Sequence, residues 1–250
     1  MPRSMVKGDS KPRRGRKPED TEGVPETERK LSREEETRQR AVSEWVPATD
    51  TGRKVKNGEI SSLDEFFSKG FKIMEPEIVD ALVPELKEKL VEFSKTTRIT
   101  RQGRNFSFRA AVLVGDGEAF IGLGTAKDKE KYPAISKATR NAKLAIRKVR
   151  KSCGSWECRC RERHSVPFNV TGSCGSVRVK LMPSPKGTGL VVGDNIKDVF
   201  VFAGIKDVWS KCFGRTSATL EFVTAAVNAL HATNNVRLSE DIAKKLEEKR

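Results

Sequence analysis

Two separate parts of the chain alternate between hydrophobic and polar positions, and a helical period follows each of them. In the first part, FSFRAAVLV and EAFIGLG flank the turn GDG, which predicts a β-hairpin. In the second part, HSVPFNVTG and SVRVKLMP read as two strands. The latter has apolar residues on one face and cations on the other: Val177, Val179 and Leu181 against Arg178 and Lys180. The pattern therefore predicts two units, each with strands of its own.

A helix is predicted directly after the first hairpin. PAISKATRNAKLAIRKV has a helical period and begins with Pro133, a residue favoured at helix starts. One face is apolar and consists of Ile135, Ala138, Ala142, Ala145, Ile146 and Val149. The opposite face carries the cations Lys137, Arg140, Lys143, Arg147 and Lys148. We expect the apolar face to pack on the hairpin and the other to form a stripe of positive charge.

Helices are also predicted before the hairpin and in the second unit. SSLDEFFSKG reads as a helix with Ser62 as its N-cap and Gly70 as its stop. PEIVDALVP and ELKEKLVEF read as two short helical pieces around Pro84.

In the second unit, Asn195 is predicted to cap a helix that ends at Gly204. GIKDVWSKCFG then gives a short strand, and ATLEFVTAAVNALHA gives the last helix. Strands interleaved with helices in this way indicate an α+β or α/β protein.

Composition changes at both ends of this folded region. Residues 1 to about 40 combine many charges, Pro and Gly with almost no large apolar side chains, so they cannot bury enough surface to offset the entropy of ordering. We predict a disordered basic arm (1–44), a helical extension (45–85), a first domain (86–152), a cysteine-rich linker (153–164), a second domain (165–235) and a polar tail (236–250).

The charge balance limits the classes of partner. The chain has 49 Lys and Arg against 34 Asp and Glu, a net charge of +15, which favours a polyanion such as nucleic acid over an anionic membrane surface. It has no apolar run long enough to span a membrane and no signal peptide at its N-terminus. Its odd number of cysteines argues against a secreted disulfide framework. We therefore predict a cytoplasmic protein.

A Gly-centred segment, TRITRQGRNFSF, precedes the first hairpin strand. Arg98, Arg101, Gln102 and Arg104 surround Gly103, and Phe106 follows closely. Arginine binds phosphate through two parallel hydrogen bonds, and a glycine lets a nucleic-acid backbone approach. An ordinary solvated hairpin is the alternative, but the stripe of cations in the same unit favours contact with RNA or DNA.

Three cysteines and a histidine fall within twelve residues: Cys153, Cys158, Cys160 and His164. Their spacing, C-x4-C-x-C-x3-H, provides four ligands that could surround one tetrahedral zinc ion. The spacing is not that of a common zinc knuckle, and free cysteines often pack as small hydrophobic residues. The lack of a C-x-x-C pair argues against redox chemistry. A structural zinc ion and a packed thiol cluster both remain open, and no other cofactor is predicted.

The sequence motifs that could indicate an enzyme are weak. PSPKGTGLVVG (183–193) is a Gly-rich loop that could cradle phosphate, but it lacks the Gly-Lys-Ser/Thr of a Walker loop, and GLGTAK (122–127) lacks the dinucleotide fingerprint. The chain contains only two histidines, His164 and His231, and the latter is expected to be a surface or packing residue. We predict no enzymatic activity. A small-molecule kinase that uses the 183–193 loop and a free double-stranded-RNA-binding protein are the alternatives.

Five segments in order resemble small-subunit ribosomal protein S-five, whose eukaryotic counterpart is called S-two. They are RQGRNFSFRAAVLVGDGEAFIGLGTAKD, AISKATRNAKLAIRKVR, HSVPFNVTG, GSVRVKLMPSPKGTGLVVGD and AGIKDVWSKCFGRT. The resemblance covers about residues 45 to 235. EWVPATDTGRKVKNGEISSLDEFF and CGSWEC are similar to the archaeal branch of this family in particular.

The resemblance implies an α+β fold with an N-terminal domain like a double-stranded-RNA-binding domain and a C-terminal two-layer α/β domain. It implies a ribosomal protein that binds small-subunit ribosomal RNA and contributes to translation and decoding fidelity. Its neighbours would be ribosomal proteins S-four and S-eight, near the region where messenger RNA enters. It also implies that a metal on the cysteines would be structural and dispensable to the family role.

The resemblance further implies that the tip from Arg101 to Phe106 touches ribosomal RNA and that Lys127 is the family's lysine after the GLG turn. Together with the cations noted above, the residues predicted to bind RNA are Arg98, Arg101, Gln102, Gly103, Arg104, Phe106, Arg109, Lys127, Lys137, Arg140, Lys143, Arg147, Lys148, Arg150, Lys151 and Lys186.

Overall fold

The computed structural model describes residues 44–158, 160 and 162–235. This part of the chain is α+β, with six α-helices and two four-stranded sheets. The polar tail and nearly all of the basic arm predicted from the sequence lie outside the described residues.

Three short helices form the region before the first sheet: α1 (Asp50–Lys56), α2 (Leu63–Ser68) and α3 (Glu77–Leu82). The Ser62 side chain accepts a hydrogen bond of 3.3 Å from the Glu65 N–H, as the predicted N-cap should. Gly70 ends the segment with φ +73°, a left-handed conformation that favours glycine. The predicted cap and stop of α2 are therefore confirmed.

The first sheet has the order β1-β2-β3-β4 and is antiparallel throughout. Its strands are β1 (Lys87–Thr100), β2 (Gly103–Gly115), β3 (Phe120–Asp128) and β4 (Arg147–Lys148). The predicted hairpin corresponds to β2 and β3, which pair from Gly115↔Ile121 to Phe108↔Asp128.

The prediction of a helical piece at ELKEKLVEF is wrong, because this segment begins β1. The register of β1 against β2 shifts between Leu90 and Glu92, which is the mark of a β-bulge. The extra residue breaks the two-residue alternation by which a strand is recognised in a sequence. Pairing with the long strand β2 then overrides the helical propensity of the Glu, Lys and Leu residues.

Helix α4 (Lys131–Leu144) is shorter than predicted. Its C-cap is Ala145, and the two residues Arg147 and Lys148 leave the helix to pair with β3 as strand β4. The placement of these two cations on a helical stripe was therefore wrong. Ile146 and Val149 flank this short strand and are nevertheless buried, so both face the core although neither lies in the helix.

Small residues let α4 lie very close to β3. Ala134, Ala138 and Ala142 are fully buried on the inner face of the helix. A Cβ atom added at Gly124 would overlap the backbone of Ala138 and Ala142. The approach of helix and strand is thus set by contact between their main chains, for which glycine is required on β3.

The second sheet has the order β5-β6-β8-β7, in which β7 runs parallel to β8 and the other neighbours are antiparallel. The strands are β5 (Val170–Cys174), β6 (Val177–Pro183), β7 (Leu190–Val191) and β8 (Val208–Phe213). Helices α5 (Asp194–Phe202) and α6 (Thr219–Ala232) share one apolar core with this sheet. Val177, Val179 and Leu181 are buried in it, as the alternation predicts.

Two predicted boundaries in the second unit differ from the structure. Gly193, in an extended conformation, is the N-cap of α5, so that Asn195 lies inside the first turn and was wrongly assigned as the cap. HSVPFNVTG becomes a strand only from Val170 onwards. The predicted stop at Gly204 is confirmed, with φ +68°.

The two sheets are joined by a continuous apolar core. Leu113 of β2 and Ile121 of β3 are fully buried in the same cluster as Leu181, Phe200 and Leu230. At the edge of this contact, the Gly117 N–H of the GDG turn donates to the Phe202 carbonyl at the end of α5, at 3.0 Å. The turn of the β2–β3 hairpin is thereby fixed to a helix of the second unit.

Replacement of Gly124 by alanine tests the close packing of α4. The added methyl group has no space between β3 and the helix backbone, so we expect the free energy of unfolding to fall by about 1–3 kcal/mol. The measurement is denaturant unfolding followed by circular dichroism. The exposed neighbour Thr125, changed to Val, is the control and should alter stability by less than about 0.5 kcal/mol. Equal stability of Gly124→Ala and the unchanged protein would contradict this account.

Candidate nucleic-acid interface and metal centre

The Gly-centred segment lies at the tip of the ribbon formed by β1 and β2. Arg101 and Gln102 form the turn, and Gly103 has φ +115°. The Thr100 hydroxyl donates to the Gly103 carbonyl at 3.0 Å and stabilises the turn from inside. All the predicted residues of the tip are exposed. Within the described residues, Arg98, Arg101 and Arg104 take part in none of the ion pairs, so their guanidinium groups face solvent.

Aromatic side chains run along one face of the ribbon behind the tip. Phe93 and Phe108 stack with ring centroids 5.5 Å apart. The Lys95 ammonium lies 3.9 Å from the centroid of the Phe106 ring, a cation–π contact. Phe106 remains 48% exposed, so it presents an apolar surface next to the arginines of the tip.

Two more predicted cations lie on the opposite face of the first sheet. Arg109 of β2 is directly opposite Lys127 of β3, and both are exposed. Since Phe108 and Ala110 point towards the α4 side, the alternation of β2 turns Arg109 away from it. The structure therefore places Arg109 and Lys127 together, on the same sheet as the tip.

Three of the predicted lysines are engaged by carboxylates. Lys137 Nζ lies 2.5 Å from Asp128 and holds the pKa of that carboxyl below its ordinary value through a hydrogen bond. Lys143, only 13% exposed at its side chain, bridges Asp80 at 2.8 Å and Glu88 at 3.4 Å. Lys148 Nζ lies 2.5 Å from Asp64. These lysines link α4 and β4 to neighbouring elements, and the predicted stripe is not a row of free charges.

The remaining predicted cations are divided between solvent and structure. Arg140, Arg147 and Arg150 are exposed. Lys151 is half-buried and donates to the Gly204 carbonyl at 3.3 Å, and burial lowers its pKa. Lys186 pairs with Glu162 at 2.7 Å. Lys151 thus belongs to the contact between the two units, and Lys186 belongs to the neighbourhood of the cysteines.

The four predicted metal ligands converge. One ligand atom from each of Cys153, Cys158, Cys160 and His164 lies within 4.8 Å of all the others. The Cys158 sulfur is 2.9 Å from that of Cys160 and 3.7 Å from His164 Nε2. Three sulfurs and one imidazole nitrogen are a ligand set that zinc accepts in structural sites. The cluster could hold a metal ion.

The local chain folds so as to bring these residues together. Ser152 and Ser165 exchange two backbone hydrogen bonds of 2.9 and 3.0 Å, which close the base of the loop that carries the ligands. Gly154 lies against the carbonyl of Pro167, where a Cβ atom would overlap that group. A short loop closed at its base brings Cys153 and His164, eleven positions apart, within reach of one centre.

Asp207 orients the histidine. His164 Nδ1 lies 2.8 Å from Asp207 Oδ2, and both side chains are nearly inaccessible to solvent. This contact leaves His164 Nε2 directed at the cysteines, an arrangement that metal-binding histidines commonly use. The other carboxylate oxygen, Oδ1, accepts hydrogen bonds from the N–H groups of Gly187 and Gly189 at 3.1 and 2.8 Å. Asp207 is not identifiable from the sequence, because no local motif connects it with the distant cysteines.

The same hydrogen bonds bear on the Gly-rich loop at 183–193. A phosphate-cradling loop directs free backbone N–H groups at its ligand. Here the amides of Gly187 and Gly189 already donate to a carboxylate of the protein. The loop is thus held as part of the surroundings of His164.

Two thiols of the cluster differ in acidity. The hydrogen bond from Cys160 lowers the pKa of Cys158 to about 6, whereas burial raises the pKa of Cys153 to about 11. Cys158 is therefore largely a thiolate at neutral pH, which is the form that binds metal.

His231 lies in α6, away from the cluster in the sequence. Burial lowers its pKa to about 4, so the imidazole is neutral at pH 7 and serves as a packing group. A helix that could cross a membrane, which needs a long apolar stretch, is not found among the described residues.

Comparison with known proteins gives matches over both units. The family model for the N-terminal domain of ribosomal protein S5 matches residues 86–150. The model for the C-terminal domain of ribosomal protein S5 matches residues 172–246.

Relatives described as small ribosomal subunit protein uS5 come from several archaea. That of Staphylothermus marinus is 50% identical over 193 residues, 77% of this chain and 90% of the relative. That of Methanospirillum hungatei is 50% identical over 196 residues, 78% of this chain and 96% of the relative. That of Methanobrevibacter smithii is 48% identical over 205 residues, 82% of this chain and 96% of the relative. Both domain models and this degree of identity across most of each relative show that the chain belongs to the ribosomal protein S5 family, in its archaeal form.

Proposed function

We propose that the protein is a non-catalytic structural constituent of the small ribosomal subunit, where it binds ribosomal RNA and contributes to translation and decoding fidelity. The observation that carries this proposal is the exposed tip, on which Arg98, Arg101 and Arg104 have no ion-pair partner in the described part of the chain. Membership of the S5 family supports the same role.

The two sheets support the proposed domain organisation. The N-terminal domain, 86–152, would be like a double-stranded-RNA-binding domain, since the three long antiparallel strands of its four-stranded sheet and the helix across one face are arranged in that way. The C-terminal domain, 165–235, would be a two-layer α/β unit, with α5 and α6 on one face of its sheet. Residues 153–164 would be the linker between them.

The mechanism is electrostatic and geometric. Arginines of the tip bind phosphates through paired hydrogen bonds, and Arg109 and Lys127 extend the contact along the first sheet. Three of the predicted lysines have a stabilising role instead, because they form ion pairs with carboxylates of neighbouring elements: Lys137 with Asp128, Lys143 with Asp80 and Lys148 with Asp64. The protein holds neighbouring RNA helices in register, largely without reading bases.

Membership of the family supports a proposal about the location and the neighbours. The protein would reside on the ribosome, next to ribosomal proteins S-four and S-eight and close to where messenger RNA enters. The kinase alternative loses its main support, because the amides of Gly187 and Gly189 donate to Asp207.

A zinc ion on Cys153, Cys158, Cys160 and His164 is the second part of the proposal. The convergence of the four ligand atoms and the orienting carboxylate of Asp207 support it. Bound zinc would hold the linker closed. Because four protein ligands fill a tetrahedral shell, the role would be structural.

Removal of two arginines tests the RNA-binding tip. Arg101→Ala combined with Arg104→Ala should weaken binding to a duplex of ribosomal RNA and reduce the slope of log K against log salt by roughly 1.5–2, since two phosphate contacts are lost. Fluorescence anisotropy at several salt concentrations measures both. Arg53→Ala with Lys54→Ala, which removes two cations from α1, is the control. An unchanged slope in the tip variant, or an equal decrease in the control, would contradict the proposal.

Sedimentation tests the assembly. In a sucrose gradient of cell extract, the protein should co-migrate with small ribosomal subunits at moderate and at high salt. Migration as a free protein would favour the free RNA-binding alternative instead.

Metal content tests the cysteine cluster. The purified protein should contain about one zinc ion per chain, and Cys158→Ser should lose most of it, because a tetrahedral site with one ligand missing binds metal weakly. Cys212→Ser, outside the cluster, should retain the metal. Elemental analysis by mass spectrometry gives the ratio. Zinc-free wild-type protein purified without chelator would leave packed thiols as the correct interpretation.

A further inference from the structure

One face of the second sheet is left open by the described residues. Side chains alternate along β6 and β8, and one set is buried with α5 and α6. The other set, on the opposite face, consists of Arg178, Lys180, Met182, Trp209, Lys211 and Phe213. Phe213 is 55% exposed and Trp209 is 36% exposed. We refer to these six residues as the open face.

The charges of the open face are of one sign. Lys180 of β6 lies directly opposite Lys211 of β8. Like charges in this position destabilise a sheet. Within the described part of the chain, neither of these lysines nor Arg178 enters an ion pair. The set has no carboxylate, so this face carries an excess of positive charge that favours an anionic partner.

The aromatic residues of the open face are spaced along the same strand. Trp209 and Phe213 are four residues apart on β8, which separates them by about 13 Å along an extended strand. Lys211 lies between them, Met182 is opposite Trp209, and Arg178 is opposite Phe213. Aromatic rings and cations therefore alternate over the middle of the sheet.

This combination favours nucleic acid over protein as the partner. The cores of protein–protein interfaces are depleted of lysine, but Lys180 and Lys211 lie on the two central strands. Proteins that bind single-stranded RNA commonly use a sheet whose aromatic side chains stack on unpaired bases while cations contact the phosphates.

We propose that the open face binds an unpaired segment of RNA. Trp209 and Phe213 stack on bases, and Arg178, Lys180 and Lys211 neutralise phosphates. This site is separate from the tip on the first sheet, which the proposed function assigns to the backbone of RNA helices.

The test compares single-stranded and duplex RNA. The full-length protein is titrated with a labelled single-stranded RNA of ten nucleotides and with a blunt RNA duplex, and anisotropy is recorded at several salt concentrations. Trp209→Leu with Phe213→Leu should weaken single-strand binding about tenfold or more without a change in salt slope, since stacking is lost and charge is kept. Lys180→Ala with Lys211→Ala should reduce that slope by about 1.4. Both should bind the duplex as the wild type does.

The tip variant, Arg101→Ala with Arg104→Ala, separates this site from the proposed function. If it binds duplex as the wild type does, the assignment of the tip fails while the open-face result stands. Thermal unfolding of every variant confirms that the fold is kept, as expected for exposed positions. Wild-type affinity of both open-face variants for single-stranded RNA overturns the inference. The inference is also overturned if the open-face variants lose a ribosomal protein that co-purifies with the wild type while their binding to single-stranded RNA stays intact. This face would then be a protein interface.

Discussion

The burial of Leu113 and Ile121 against the helices of the second unit is the contact on which the rest of the structure depends. These residues belong to the first sheet, yet they lie in the same apolar cluster as Leu181 and Leu230 of the second unit. Around these two residues the first sheet is thus buried on both faces, by α4 on one and by the second unit on the other. Because a shared core leaves little freedom of rotation, the ribbon tip, the cysteine cluster and the open face keep fixed relative positions.

Within this frame, the distribution of charge matters more than its total. The chain has a large excess of cations, but Lys137, Lys143 and Lys148 form ion pairs with Asp128, Asp80 and Asp64. Such pairs fix helices and strands to each other and present little free charge to a partner. The arginines of the tip and the cations of the open face enter none of the ion pairs found in the described part of the chain, so the net charge alone does not show which surfaces present free cations.

The sequence predicted most of the second unit and the β2–β3 hairpin, since their alternation is regular and one face is buried. It failed where two signals conflict. The bulge between Leu90 and Glu92 interrupts the alternation by which β1 would be recognised. Arg147 and Lys148 continue the helical period of the sequence, although in the structure they pair with β3. The convergence of the three cysteines and His164 could be predicted because these residues are close in sequence. Asp207 could not, since its contact with His164 depends on the tertiary fold.

The ribbon of β1 and β2 has a further consequence. Near its tip, the side chains of Arg98, Ile99, Arg101 and Arg104 are exposed and contribute little to the apolar core. Substitutions there have small effects on the free energy of unfolding, whereas most core substitutions are destabilising. Evolution can therefore adjust the affinity of this tip for the RNA that we propose it binds almost independently of the stability of the protein, with the rigid sheets conserving the position from which the tip extends.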